Sequence, residues 1–367
     1  MSGTLGLRAP APLHPAASGR LDLLRLLLIA QVMLGHYAMI AFPPFPALEL
    51  GRPADIYVAG FRLLTRFGGE AAFVFVCISG FLLAPRLLAT ALGQPGAEPV
   101  SAFLFARLRR IYPTLIAAIA LTALCDWIAL TRLGAEPLYR TAMTYDAGAA
   151  FNWVAALGNA LSLQPTFAGA FGSNGPLWTL GYIVQFYCTA ALLAASLRRA
   201  WPLAAGLGIA IVVAGLVWRP EWSLLFLCWL GCGAMRWFPA HTSIQGIVLA
   251  AAGLVLFVLA NLAPDPVAVI PAGLAGAAWL GAVLAPSVGQ SAASRPATLA
   301  RLSEASFALY AFHFPLAMLL LASIAPHADL SGLAFRLLWP LLAAAPAIAI
   351  AIGWHAALPH LMRGSQR

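Results

Sequence analysis

The fold is decided by the stretch LDLLRLLLIAQVMLGHY, residues 21–37, an apolar run that carries one arginine and one histidine. A helix that crosses the hydrocarbon core of a bilayer needs about 20 mainly apolar residues, most of which this run supplies. Arg25 and His36 are eleven positions apart. At 100° per residue they share one helix face, roughly 16 Å apart along the axis. The stretch predicts a membrane helix with two ionisable groups on one side.

Ionisable side chains inside a membrane helix are costly, so each one is a functional-site hypothesis by default. For this pair the structural alternative is an arginine that extends to the membrane surface and a histidine that is hydrogen-bonded in the core. The spacing alone does not separate the two interpretations.

The composition of the whole chain extends the membrane prediction along its length. Of 367 residues, 62% are hydrophobic and only 9% are charged, against roughly 25% charged in soluble domains. The shorter apolar stretch 150–166 is interpreted as a re-entrant or interfacial segment, with a further true span as the alternative. We place ten spans at residues 21–42, 67–88, 111–130, 176–197, 201–218, 221–238, 243–262, 267–286, 302–325 and 333–358.

The positive charge gives an orientation for these spans. Every basic residue is an arginine and the formal net charge is +9. Cytoplasmic loops are enriched in Arg, and a cytoplasmic N-terminus places the larger share of the arginines inside. We therefore predict an all-α polytopic membrane protein with about ten transmembrane helices and both termini cytoplasmic. Residues 1–20 are predicted to be a disordered cytoplasmic tail, 21–360 the transmembrane domain and 361–367 a second cytoplasmic tail.

Neither a metal nor a permanently bound cofactor is expected. The five cysteines lie in apolar stretches, and no His or acidic residue stands near Cys228 and Cys232 in the sequence. Cysteines in such a setting are typical of small core residues. The arginines are explained by topology, so we predict no nucleic-acid partner.

Polar side chains also interrupt the second span and the start of the third. The second span, GGEAAFVFVCISGFLLAPR, has Glu70 near its outer end and Ser79 near its middle, where the next residue is a glycine suited to close helix packing. The segment FLFARLRRIYP, residues 103–113, brings Arg107, Arg109 and Arg110 to the predicted cytoplasmic surface. This cluster is either a topology anchor or a cradle for a phosphorylated ligand such as coenzyme A.

Two later spans carry further polar faces. In LSEASFALYAFHFPL, Ser306, Tyr310 and His313 recur at spacings of four and three, so they line one face of a helix. In NGPLWTLGYIVQFY, Asn174, Trp178 and Gln185 form a third polar face near the predicted outer side. Such faces are expected to line a cavity or to contact another helix.

In chain order, these motifs resemble the membrane-bound acyltransferase-3 family of O-acyltransferases. The pattern consists of R-x10-H in the first span, EAxxxFxxxSGFLL from residue 70, RxxRIYP from residue 107, NGPLWTL…FY from residue 174 and SFxLYxxHFP from residue 306. The ordered set covers the chain from residue 21 to about residue 320, which makes it far more specific than any one motif.

The resemblance implies a ten-helix domain that transfers an acyl group, usually acetyl, from cytoplasmic acyl-CoA as co-substrate. Acceptors in the family are hydroxyls of sugars in polysaccharides, lipid-linked glycans or related cell-surface molecules. The expected partners are membrane lipid, acyl-CoA and a glycan or small hydroxylated acceptor, and the expected location is a bacterial cytoplasmic membrane. His36 would act as general base, with transfer either direct or through a covalent serine or histidine intermediate.

The resemblance implies that Arg25 and His36 are an essential pair, and the other roles are hypotheses from the motifs. The candidate catalytic residues are His36, Arg25, Glu70, Tyr310 and His313. The candidate donor-binding residues are Arg86, Arg107, Arg109 and Arg110. The candidate acceptor-binding residues are Ser79, Asn174, Trp178 and Ser306.

The chain departs from the family pattern at two places. Relatives carry a glutamate shortly after the tryptophan motif, where this chain has Ile183, and the Glu-x-Pro near the end of their last helix is missing. Such a member would bind a different acceptor or would be an inactive subunit. A polytopic transporter or exporter is the alternative from another class, because buried Arg, His and Tyr faces also occur in carriers.

Overall fold

The structure, a computed structural model, describes residues 13–44, 47–49, 51–199, 202–238, 240, 242–286 and 296–364. Within these ranges it has α-helices, two short 3-10 turns at Gly175–Leu177 and Met235–Trp237, and no β-strand. The helices are α1 Pro15–Ala41, α2 Pro53–Thr65, α3 Gly68–Ala91, α4 Val100–Arg132, α5 Glu136–Thr141, α6 Trp153–Ala160, α7 Trp178–Arg199, α8 Pro202–Trp218, α9 Pro220–Ala234, α10 Ser243–Leu262, α11 Val269–Val283, α12 Ala297–Ile324 and α13 Leu333–Gly364.

The all-α membrane prediction is confirmed. Seven helical segments of the described chain are long and apolar enough to cross a membrane: Pro15–Ala41, Pro53–Ala91, Val100–Arg132, Gly175–Leu197, Ser243–Leu262, Ala297–Ile324 and Leu333–His360. The other three predicted spans coincide with α8, α9 and α11, which have 17, 15 and 15 residues. These are shorter than the roughly 20 residues of an ordinary span, so the number ten and the side of each terminus stay predictions.

The stretch 150–166 contains only α6, an eight-residue helix, which is too short to cross a bilayer. The side chain of Asn152 caps its N-terminus by accepting from the backbone N–H of Ala155 at 2.9 Å. Trp153 is 75% exposed and Leu157 is 52% exposed. An exposed tryptophan with aliphatic neighbours on a short helix is typical of a segment that lies at the membrane–water interface.

Helix α1 begins within the segment predicted as a tail. Arg20 lies in this helix, and its guanidinium donates to the carbonyl of Val283 at 3.0 and 2.6 Å and to that of Ala285 at 2.7 Å. These carbonyls stand at the C-terminal end of α11, where backbone acceptors lack helical donors. Residues 1–12 and 365–367 of the two predicted tails lie outside the described residues.

By its internal contacts the chain divides into two compact units. Unit 1 comprises residues 1–22, 73–110 and 182–296, and unit 2 comprises residues 23–72, 111–181 and 297–367. In unit 1, α9 packs against α8 and α11, and α11 packs against α10. In unit 2, α13 packs against α12 and α2.

The SGF motif of the second span is a helix-packing device in unit 1. The hydroxyl of Ser79 donates to the carbonyl of Val76 at 2.8 Å and accepts from Nε1 of Trp229 at 2.7 Å. A Cβ added at Gly80 would stand 2.0 Å from the carbonyl oxygen of Trp229. The backbones of α3 and α9 therefore touch at a position that only glycine allows.

The contact at Gly80 can be tested with a matched pair of alanine substitutions. Gly80→Ala should lower the free energy of unfolding by about 1–3 kcal/mol, because the new methyl group overlaps a backbone oxygen. Gly231→Ala on α9 is the control, since its Cβ would meet nothing within 4 Å. Thermal unfolding in detergent should show a lower Tm for Gly80→Ala only, and equal midpoints would contradict the contact.

Candidate active site

Two histidines that are far apart in the sequence meet in unit 2. His36 lies in the last third of α1 and His313 lies in α12. Nδ1 of His36 is 2.9 Å from Nε2 of His313. The ring centroids are 5.2 Å apart and the ring planes differ by 11°. The two nitrogens therefore face each other between the rings, which suits a hydrogen bond.

The backbone of α12 fixes which nitrogen of each ring carries a proton. Both rings are assigned as neutral, because an unpaired charge among apolar helices is costly. Nδ1 of His313 is 2.7 Å from the carbonyl oxygen of Tyr310. Since a carbonyl only accepts, Nδ1 of His313 donates and its Nε2 accepts from Nδ1–H of His36. His36 keeps an unprotonated Nε2, which makes no hydrogen bond within the described part of the chain.

A proline two residues after His313 removes one backbone hydrogen bond from α12. Pro315 lies inside this helix and has no N–H, so the carbonyl of Ala311 loses its helical donor. Nδ2 of Asn174 donates to this carbonyl at 3.1 Å and to Oγ1 of Thr122 at 2.9 Å. Asn174 is fully buried. The NGP motif thus supplies the bond that the HFP motif leaves open.

Tyr310 ties the same loop to α12. Its hydroxyl donates to the carbonyl of Pro176 at 2.5 Å, in the 3-10 turn Gly175–Leu177. This bond uses the only hydrogen of the phenol, so Tyr310 holds the turn of α12 that carries His313. The contact gives Tyr310 a positioning role, and its part in catalysis stays a prediction.

A buried carboxylate that was not predicted holds this loop in place. Asp126 of α4 has no exposed surface. It accepts from the backbone N–H and hydroxyl of Ser173, each at 2.7 Å, and from the hydroxyl of Tyr139 at 2.8 Å. Gly172 has φ 54°, and a Cβ there would stand 2.0 Å from Oδ2 of Asp126. Only glycine suits this turn, which leads directly into Asn174.

The charge of Asp126 also affects the phenols around it. Burial and this carboxylate raise the pKa of Tyr139. The same causes raise the pKa of Tyr145, whose hydroxyl donates to the carbonyl of Gly172 at 3.1 Å. Both phenols therefore remain protonated donors at physiological pH. Asp126 lies inside the predicted span 111–130, so the cost of an ionisable group in a membrane helix was the signal that could have found it.

Of the remaining candidate catalytic residues, Arg25 stands apart from the histidine pair along α1, and Glu70 lies on a third helix. Arg25 is half-buried on α1, eleven residues and so roughly 16 Å before His36. Glu70 is buried in the first turn of α3, where the helix dipole favours a carboxylate. Neither residue is brought to the pair by the contacts described above.

Two candidate acceptor-binding residues of unit 2 lie close to the elements of the site. Trp178 begins α7, directly after the 3-10 turn that Tyr310 contacts, and is half-buried. Ser306 is buried on α12, and its hydroxyl donates to the carbonyl of Ser303 at 2.6 Å. Ser79, the remaining candidate acceptor-binding residue, belongs to the α3–α9 contact of unit 1.

The predicted phosphate site lies in unit 1. Arg107 is half-buried near the start of α4 and interacts electrostatically with Arg86 and Arg110. Its guanidinium carbon lies 5.3 Å from the ring centroid of Phe103, and its buried Nε has no hydrogen-bond partner within the described residues. Arg109 is exposed and points about 200° round the helix from Arg107.

One further arginine joins this cluster. Arg236 lies in the turn Met235–Trp237, with its guanidinium carbon 5.4 Å from the ring centroid of Phe81. Arg236 also interacts electrostatically with Arg86. Guanidinium groups that repel one another in a half-buried setting form a site that an anion would stabilise. Its place beside Arg86 depends on tertiary packing, which no local motif reports.

The fold and these sites define an integral membrane protein with a hydrogen-bonded imidazole pair in one unit and an arginine cluster in the other. The chain belongs to the acyltransferase-3 family, whose model, described as an acyltransferase domain, matches residues 18–355. The resemblance of the motifs is thereby confirmed, and the chain is a membrane acyltransferase. Searches of curated proteins and of solved structures found no match.

The role of Asp126 can be tested by replacing the carboxylate itself and, separately, one of its three hydrogen-bond donors. Asp126→Asn presents an NH2 group to donors at Ser173 and should lower the free energy of unfolding by about 2–3 kcal/mol. Tyr139→Phe removes one of three donors and should cost about 1 kcal/mol. Thermal unfolding in detergent measures both changes. An Asp126→Asn variant as stable as the unaltered chain would remove Asp126 as the anchor of the loop.

Proposed function

We propose that the chain transfers an acyl group, acetyl in the simplest case, from cytoplasmic acyl-CoA to a hydroxyl of a sugar or other cell-envelope acceptor. The proposal places it in a bacterial cytoplasmic membrane. The observation that carries it is the hydrogen-bond chain from the Tyr310 carbonyl through His313 to His36, which leaves Nε2 of His36 as an unprotonated base.

The chemistry proposed at His36 is a single displacement. Nε2 removes the proton of the acceptor hydroxyl while the hydroxyl oxygen attacks the thioester carbonyl. The C–O bond forms, the C–S bond breaks, and the imidazolium returns the proton to the leaving thiolate of coenzyme A. Nδ1–H of His36 faces Nε2 of His313, so the positive charge that develops on His36 can be shared with a second ring. No covalent enzyme intermediate is needed.

A second histidine takes the orienting place that a carboxylate often holds beside a catalytic histidine. Within the described residues, the hydrogen bonds of the pair run to each other and to the backbone of Tyr310 and Leu309. The family glutamate is replaced by Ile183, a buried residue of unit 1. This supports an acid–base system that works without that glutamate, so loss of the family residue does not by itself imply an inactive copy.

The arginine cluster of unit 1 is proposed to bind the phosphates of coenzyme A. That molecule carries a diphosphate and a 3′-phosphate, and guanidinium groups bind such oxygens in pairs. Arg107 offers an unpaired, buried Nε, and Arg86 lies in electrostatic range of both Arg107 and Arg236. We therefore extend the predicted set of Arg86, Arg107, Arg109 and Arg110 by Arg236.

The proposed roles of His36 and His313 predict unequal decreases in kcat when each residue is replaced. His36→Ala should lower kcat for acyl transfer about 10²–10⁴-fold, the usual worth of a general base. His313→Phe should lower kcat about 10-fold to 100-fold. In this variant Nε2 of His36 can still act as a base, but the hydrogen bond that keeps the proton on Nδ1 of His36 is lost. Transfer of radiolabel from acetyl-CoA measures both. His327→Ala, in an exposed loop, is the control, and a fully active His36→Ala variant would exclude His36 from the mechanism.

The donor site predicts a change in KM rather than in kcat. Arg107→Gln and Arg236→Gln should each raise the KM for acetyl-CoA about 10-fold or more, since each removes a charged hydrogen bond to phosphate. Arg132→Gln, at the far end of α4, is the matched control. Acetyl-dephospho-CoA, which lacks the 3′-phosphate, shows which arginine meets that group, and an unchanged KM in both variants would contradict the site.

A further inference from the structure

An apolar groove runs between α1, α12 and α13 in unit 2. Its volume is about 290 Å³. The side chains that line it are hydrocarbon, apart from the thioether of Met33 and the phenol of Tyr37. The phenol is already engaged, because it donates to the carbonyl of Ala343 at 3.3 Å. A polar molecule would therefore leave its hydrogen bonds with water without replacing them in this groove.

One end of the groove lies beside the imidazole pair. On α1, His36 follows the lining residue Met33 by three positions. On α12, His313 follows the lining residue Leu309 by four positions. Side chains at these spacings are neighbours on a helix surface. The ring of Tyr37 is also 6.1 Å from that of His313. The groove therefore begins next to the place where the thioester carbonyl is attacked.

The groove continues well beyond the pair along the helices. On α1 its lining extends from Tyr37 back to Leu26, and these eleven steps correspond to roughly 16 Å along the helix axis. On α13 the lining extends from Ala344 to Ile352. The single methyl group of an acetyl donor would occupy only the end of such a groove.

Of the chemical groups that the reaction brings to His36, only the acyl tail matches this lining. Coenzyme A carries phosphates, its pantetheine arm carries amides, and the acceptor carries hydroxyls. Each of these groups loses hydrogen bonds when it enters an apolar site. The tail has none to lose, and it is bonded directly to the carbonyl that reacts at His36. It therefore leaves the reaction centre at the point where the groove begins.

The groove also has a floor against which a tail can pack. Met33, Ala305 and Ala351 are almost inaccessible, whereas Leu302 and Ile352 at the rim are 40% and 46% exposed. Contacts with a close-packed floor depend on the shape of the side chains there. Replacing groove residues should therefore change the effect of tail length on binding, whatever the surrounding lipid.

We propose that the groove binds the acyl tail of the donor and that the natural donor is an acyl-CoA with a tail longer than acetyl. The inference rests on the proposed function and specifies the donor class of that reaction. Acetyl-CoA is accepted as the shortest donor. Each further methylene group is removed from water by the groove, which strengthens binding until the tail reaches Leu26.

The kinetic test compares acetyl-, butanoyl- and octanoyl-CoA as donors for the full chain in phosphatidylcholine nanodiscs. For the unaltered chain, kcat/KM for release of coenzyme A should rise by up to about fourfold per added methylene group. Ala344→Phe fills the groove near the pair and should abolish this rise while acetyl-CoA is still used. Ala345→Phe is the matched control, because this neighbour is exposed and does not line the groove. Partition of the longer donors into the bilayer is the same for both variants.

Binding is measured separately, with octanoyl-CoA that carries a photoactivatable diazirine near the end of its tail. After illumination, mass spectrometry of peptides should locate the adducts on the groove segments of α1, α12 and α13. Ala344→Phe should lower these adducts about tenfold, and Ala345→Phe should leave them unchanged. Ala30→Phe, on the α1 wall of the groove, provides a second filled groove should Ala344→Phe fail to fold.

The two measurements separate this proposal from the proposed function. An even spread of adducts over the exposed helices would overturn the proposal. So would a kcat/KM that is equal for the three donors, or one that rises equally in the filled groove and in the control. Adducts confined to the groove without release of coenzyme A from any donor would refute the proposed function and leave the groove as an acyl-tail site.

Discussion

A helix in the bilayer that contains a proline must find a new donor for the carbonyl that the proline leaves open, because hydrocarbon supplies no water. At Ala311 that donor is Asn174, and the candidate active site is organised around this bond. The turn at Gly172 and the carboxylate of Asp126 hold Asn174 in place. The same stretch of α12 orients His313 and, through it, His36. The acid–base chemistry thus depends on how the membrane helix satisfies its own backbone.

The two sites use opposite electrostatic strategies. Both rings of the imidazole pair are neutral and share one hydrogen bond, which suits a position among apolar helices. The arginines keep their charge but place their guanidinium groups over aromatic rings, as Arg107 does on Phe103 and Arg236 on Phe81. Such stacking stabilises a half-buried cation without consuming its N–H donors. A site built in this way can hold repelling charges ready for an anion.

Periodicity within one helix could be read from the sequence, but contacts between helices could not. Eleven residues make slightly more than three full turns, so the shared face of Arg25 and His36 follows from the sequence alone. The contact between His36 and His313 joins positions 277 residues apart, and no pattern in either helix reports its partner. Asp126 is a different case, because an acid inside a predicted span is itself a signal in the sequence. Hydropathy also placed the start of α1 too late, since the residues from Pro15 onward form helix without being strongly apolar.

The interfacial position predicted for helix α6 affects how unit 2 responds to the thickness of its membrane. Trp153 belongs at the boundary between headgroups and hydrocarbon. A unit anchored at that boundary responds to hydrophobic mismatch at the opposite ends of its helices, by tilting or by local thinning of the lipid there. When growth temperature alters bilayer thickness, the imidazole pair would stay at a constant depth from the anchored surface. The geometry of the imidazole pair would then stay the same when the lipid composition changes with temperature.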